Sequence, residues 1–124
     1  MKASDLMIGD WVQIQYRNKK VKVTGVHDGL IDTNAASRLR EDEFYPIPLT
    51  AEILEKNGFK KKGHRYGIYD DYYDFETYEY NDGTWIVLCH QCETPLPDEQ
   101  LFTSYVHQLQ HFMHHCLIEK DIII

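Results

Sequence analysis

Residues 105–116 read YVHQLQHFMHHC and gather four of the chain's seven histidines and one of its three cysteines. Imidazole and thiolate groups bind zinc and move protons near neutral pH, so metal or acid/base chemistry would be concentrated here. His107, His111 and His114 follow an H-x3-H-x2-H spacing, which sets them on adjacent helical turns. Imidazoles at i and i+4 can share one zinc ion. The helical metalloprotease pattern also needs a glutamate after its first histidine, and here Gln-Leu-Gln separates His107 from His111. On a wheel of about 100° per residue, Phe102, Tyr105, Val106, Leu109, Phe112, Met113, Cys116 and Leu117 share one broad face. The three histidines fall opposite them. A metal on that band would sit in water, with no outer groups to orient the rings. The band therefore reads as the polar face of a docked helix, and no metal or other cofactor is expected on it. Thr103 or Ser104 supplies a side-chain oxygen to cap the helix start.

Cys89 and Cys92 form a C-x2-C pair, which can pinch one zinc between two thiolates. A structural site needs two further ligands, and no second C-x2-C exists in the chain. Cys116 with His115 or His90 could complete the set only if the last helix docks beside the strand that ends near Cys89. A redox pair would want its first cysteine at a helix N-terminus, whereas this pair follows a strand. The plain reading is ordinary thiols, with Cys89 and Cys116 buried. A zinc domain or enzyme built on Cys89, Cys92, Cys116 and the helix histidines is the competing reading. Asp70, Asp71, Asp74, Glu76, Glu79 and Asp82 interleave with Tyr69, Tyr72, Tyr73, Phe75, Tyr78 and Tyr80. The expectation is a hairpin whose aromatics cover a core and whose acids face water; the alternative is a protein-binding edge. No spacing singles out a carboxylate pair for hydrolysis. Gly-rich phosphate loops and nucleophile elbows are missing, so no catalytic residue is assigned.

The elements that must position these groups are mostly strands. Alternation in residues 11–16 and 20–25 predicts two strands, with a turn at Asn18 between them. Asp28-Gly29 predicts a hairpin leading into Leu30 and Ile31. Together these residues suggest a small SH3-like barrel or curled meander over 1–45. Pro46 and Pro48 hold the chain extended at the junction. The rest, 46–124, reads as a small antiparallel sheet packed with a short helix and a C-terminal helix, so the fold class is α+β. Thr50 caps the short helix, expected over 51–57, and Gly58 ends it. Asn81-Asp82-Gly83 predicts the second hairpin, and the Trp-Ile-Val-Leu run of 85–88 predicts a strand buried on both faces. Pro95 and Pro97 break the chain before the last helix. Residues 122–124, three isoleucines, are too apolar to dangle and should pair as a strand or pack on a neighbour.

The segments Ile8-Gly9-Asp10-Trp11-Val12, Pro46-Ile47-Pro48-Leu49-Thr50, Ile53-Leu54-Glu55-Lys56-Asn57-Gly58-Phe59 and Tyr105-Val106-His107-Gln108-Leu109-Gln110 span nearly the whole chain. In these the chain resembles a widespread family of small proteins of gut Bacteroidetes and their mobile elements. The resemblance implies a compact intracellular bacterial domain and carries no activity or functional residue with it. At 124 residues, 43% hydrophobic and 13% aromatic, the chain can build a core. Its net charge of −7 argues against a general nucleic-acid binder. A nucleic-acid accessory role would need the cluster of Lys19, Lys20 and Lys22 to converge with that of Lys60, Lys61, Lys62 and Arg65. The first residues carry Asp5 and Asp10 and do not read as a signal peptide, and no run spans a bilayer. An odd cysteine count is not a disulfide framework, which suits the reducing cytoplasm. The leading expectation is a non-enzymatic cytoplasmic protein-interaction module, monomeric or weakly dimeric, with no membrane partner.

Overall fold

The computed structural model of the chain describes residues 1–15, 18–91 and 99–124. Tyr16, Cys92, Pro95 and Pro97, invoked above, lie outside the described residues. The fold is mixed α+β. Two antiparallel sheets, of four and five strands, accompany two α-helices, and no barrel closes among the described residues. The chain forms two compact units. One is Met1–Ile47 with Tyr105–Gln110; the other is Pro48–Ser104 with His111–Ile124.

In the first unit, β1 (Trp11–Ile14), β2 (Lys19–His27), β3 (Leu30–Thr33) and β4 (Phe44–Pro46) are ordered β3-β2-β1-β4. Strand alternation turns Val12, Ile14, Val21, Val23, Ile31 and Phe44 to one side, where they form a core with Ala3 and Leu6. Each such side chain contributes about 1.5–3 kcal/mol by leaving water. Asp28 and Gly29 both take positive φ, 48° and 75°, as a two-residue hairpin between His27 and Leu30 requires. Asn18 likewise sits at φ 48° before β2. Beyond β3, Ile31 makes one bridge to Leu39, and the chain then returns to pair β4 with β1. The entry to β1 is pinned from a distance. Helix α2 (Val106–His115) brings Gln110 to it, whose Oε1 accepts the Trp11 amide at 2.9 Å while its Nε2 donates to the Gly9 carbonyl at 3.0 Å. One side-chain amide thus does what a neighbouring strand's peptide would do. The Val106 amide donates to the Ile47 carbonyl at 2.9 Å.

The second unit is a meander of β5 (Lys60–Lys62), β6 (Arg65–Tyr69), β7 (Tyr73–Asn81), β8 (Thr84–Gln91) and β9 (Glu99–Thr103), preceded by α1 (Ala51–Lys56). Thr50 Oγ1 accepts the Ile53 amide at 3.3 Å as the α1 cap. One sheet face carries Tyr66, Phe75, Thr77, Trp85, Val87 and Cys89, all buried. Phe59 meets Phe75 edge-on at 6.1 Å, Phe112 of α2 lies 5.9 Å from Phe75, and Trp85 donates its indole N–H to the Leu49 carbonyl at 3.1 Å. The final isoleucines stay within this unit. Ile122 is buried, and the buried Asn57 side chain grips the backbone of Ile123 in both directions: its Oδ1 accepts from the amide at 2.7 Å and its Nδ2 donates to the carbonyl at 2.8 Å. The tail therefore packs on its own unit, held by a side chain and not as a strand.

Three expectations for the last helix change. Phe102 belongs to β9, not to the helix, because the chain stays extended through Thr103. The helix starts at Val106, with the Tyr105 amide taken by Gln108 Oε1 at 3.2 Å, which is half of a capping box. His107 is not on a wet face: it is 6% exposed, with its ring stacked on Tyr105 at 6.0 Å and 13°. Val106, His107 and Leu109 are all buried, so the first turn is covered around more of its circumference than a one-sided wheel allows. Leu117 leaves the apolar face because the helix has already ended. It adopts φ 61° and is 83% exposed, while the Leu117 amide bonds to the His114 carbonyl and the Ile118 amide to that of Met113. Helix α1 ends the same way, with Gly58 at φ 81° in the left-handed position and Phe59 bonded back to Leu54.

Candidate interaction surface

The second face of the five-stranded sheet is where unusual chemistry gathers. Strand register lines up Lys62, Arg65, Tyr78, Ile86 and Phe102 as one row across all five strands. A neighbouring row places Gly67, Glu76 and Leu88 side by side, and a third places Tyr69, Asp74 and His90. Period-2 alternation along β7 sends Phe75 and Thr77 inward and Asp74, Glu76, Tyr78 and Tyr80 outward. The expectation that the hairpin's aromatics cover the core therefore holds for Phe75 and fails for Tyr78 and Tyr80. Those two rings stand among the acids.

Cations lie on several of these rings. Lys62 Nζ stands 4.0 Å above the Tyr69 ring centre, and the Arg65 guanidinium lies 5.1 Å from that of Tyr78. Such contacts contribute about 0.5–1 kcal/mol at exposed sites. Arg65 also reaches Glu76 at 3.6 Å, and the Tyr69 hydroxyl donates to the same carboxylate at 3.0 Å. Tyr69 can lie flat here because Gly67 has no side chain. A Cβ on Gly67 would fall 2.5 Å from the Tyr69 ring and hydroxyl. Burial pushes the Tyr69 hydroxyl above its ordinary range; the hydrogen bond to Glu76 and the charges of Glu76 and Asp74 act the same way, and Arg65 opposes them. Tyr73 is raised by burial first, then by the charges of Asp70 and Cys89.

At the other end of the face, toward β9, the rings carry no such cation. Tyr80 is 60% exposed and Phe102 54%, and they meet edge-on at 5.7 Å. Ile86, in register between Tyr78 and Phe102, is only 5% exposed. Sequence reasoning missed Phe102 by assigning it to the helix. Leu101 and Phe102 continue the apolar spacing of the helix backward, so no local signal marked the strand.

Among the described residues, the candidate metal ligands do not assemble. Cys89 and Cys116 are buried thiols of the second unit, in no disulfide among the described residues, and Cys92 lies outside the described residues. His107 is buried, His111 is half-buried, and His90, His114 and His115 are exposed. Among the described residues, no three His, Cys, Asp or Glu side chains stand where they could hold one metal ion. The first unit has an open cavity of about 530 Å³ walled by Ile14, Ala36 and Leu39, with Lys19 and Glu43 at its rim. Glu43 Oε1 is already engaged by the Arg40 amide and guanidinium at 3.1 and 3.2 Å, and nothing reactive converges on the cavity. The residues behind the family resemblance do structural work: Gly9 and Trp11 with Gln110, Ile47 with Val106, Leu49 with Trp85. No helix among the described residues is long and apolar enough to cross a membrane. Compared with protein-family models, curated proteins and solved structures, the chain matches none.

Proposed function

We propose that this chain is a non-enzymatic, intracellular protein-interaction module whose contact surface is the outer face of the five-stranded sheet. The observation that carries the reading is the exposed Tyr80–Phe102 pair, whose Phe102 lies in one row with Tyr78 and Arg65. Tyrosine, phenylalanine and arginine are the types enriched in interface centres and hot spots. Exposed aromatics of this size, set side by side, stand where a partner gains most by excluding water. The reading has the first unit as a partly open SH3-like meander that serves as scaffold; the bridge of Ile31 to Leu39 and the return of β4 to β1 support that topology. It also places the chain in the small-protein family of gut Bacteroidetes it resembles, in a reducing cytoplasm where Cys89 and Cys116 stay as thiols. A nucleic-acid role draws less support, since Lys62 and Arg65 already lie on tyrosine rings and Arg65 also faces Glu76.

The test is a photo-crosslinking residue placed at Phe102 and, as a control, at Lys20 in the first unit, followed by irradiation in cells. A discrete crosslinked protein band from position 102 and none from position 20 is expected. Equal labelling from both positions, or none from either, defeats the reading.

A further inference from the structure

The rings on this sheet face are not treated alike. Tyr69 carries Lys62 and Tyr78 carries Arg65; on the opposite face of the same sheet, Lys61 stands 5.9 Å from the ring of Tyr66. Tyr80 and Phe102, the two most exposed rings of the outer rows, have none of the chain's described cations over them. Asp82 is exposed at the β7–β8 turn, and Glu79 is in register with the inward-facing Trp85, on the other face from these rings. An exposed aromatic pair with no cation of its own among the described residues, on a chain of net charge −7, is a setting in which a guanidinium or ammonium gains both ring contact and long-range attraction.

We propose that the Tyr80–Phe102 end of the sheet docks a basic segment of a partner protein, with an arginine or lysine side chain seated on these rings. The inference rests on the reading of this sheet face as an interaction surface and adds the chemistry of its occupant. Charge decides among the candidates. A second copy of this chain brings its own −7, and a nucleic acid brings a negative charge with every nucleotide. A basic segment alone is attracted, by the field of the whole molecule.

The experiment uses the full chain and an octapeptide of alternating arginine and serine, followed by amide chemical shifts. Its citrulline counterpart, which keeps the shape and loses the charge, and an eight-nucleotide oligothymidine serve as comparisons. The arginine peptide should shift residues 79–84 and 101–103, and the citrulline peptide should not. Phe102→Ser and Tyr80→Ser should each weaken binding by about tenfold or more, while Lys62→Ser leaves it within about twofold. Both aromatic positions are exposed, so the variants keep the fold, and an unchanged melting temperature verifies it. Peptide shifts spread equally over Asp70, Asp71 and the Glu41–Glu43 turn, with no loss in the serine variants, would mean general attraction and would overturn the proposal. Oligothymidine binding at this face in place of the peptide would overturn it too. The in-cell crosslink separates the two levels: a partner captured at position 102 through an acidic or apolar segment sinks this inference alone, and no capture at all sinks the interaction reading with it.

Discussion

Gly67 and Tyr69 form a pair in which one residue's missing side chain sets the other's chemistry. Gly67→Ala would place a Cβ in the space the Tyr69 ring fills, so the ring must leave its hydrogen bond to Glu76. The Tyr69 hydroxyl should then titrate closer to an ordinary tyrosine, which an ultraviolet absorbance titration would reveal. Linkage has a definite sign here. A hydroxyl whose folded pKa is raised adds stability that is fully present below the unfolded value of about 10 and is lost as pH rises through the raised value. Urea midpoints should therefore fall on the alkaline side of about pH 10, and Tyr69→Phe should flatten that fall. Thr77 has a different problem. It is 0% exposed in the middle of β7, and its hydroxyl has no hydrogen-bond partner among the described residues. Thr77→Val keeps the shape and removes the stranded hydroxyl, so it should stabilise by about 1 kcal/mol in urea titrations. A loss of stability would mean that the hydroxyl is satisfied by buried water.

Helices α1 and α2 stop by the same pattern of back-bonded amides, but α1 uses Gly58 in the left-handed position and α2 uses Leu117. A leucine there bears roughly 1–2 kcal/mol of steric cost. Leu117 is exposed and packs on little, so Leu117→Gly should raise stability by up to about 1 kcal/mol in thermal melts, the gain trimmed by glycine's freer unfolded chain. Glycine at 58 made the first stop legible from sequence, whereas no residue type announced the second. The same contrast runs through the other elements. Asp28-Gly29 and Asn81-Asp82-Gly83 mark hairpins because positive φ restricts the residues allowed, and Trp85 to Leu88 marks a buried strand by its unbroken hydrophobicity. Strand β9 was hidden: Leu101 and Phe102 extend the apolar spacing of α2 backward, and a short run of that kind fits either period. The turned-out tyrosines were hidden for a related reason, since alternation tells which residues share a face but not which face is wet.

At the scale of the molecule, the α+β class expected from alternation, turn signals and helical spacing is visible as two antiparallel sheets and two helices, while the long-range ties were not legible at all. Asn57 bonds to Ile123 across 66 residues through a side-chain amide, and no local pattern marks an asparagine for that task. Asn57→Ala should cost about 2–3 kcal/mol, because it strands a buried amide and carbonyl of the tail along with the lost bonds. Deleting 122–124 should destabilise the second unit comparably and leave the mass in light scattering unchanged. A drop from dimer to monomer would instead place the tail between subunits. Gln110 spans further still, joining Gly9 and Trp11 across 101 and 99 residues. Its reach has a consequence for how the protein is made. A ribosome releases the chain from its first residue onward at about 5–20 residues per second. The entry to β1 therefore waits several seconds for the glutamine that secures it, and the whole of 48–104 emerges in between. During that interval the Gln110 bonds to the Trp11 amide and the Gly9 carbonyl are still to come, and the second unit has its described strands before the first has this tie. Synthesis order thus runs opposite to the order of completion: the N-terminal unit begins first and is finished late.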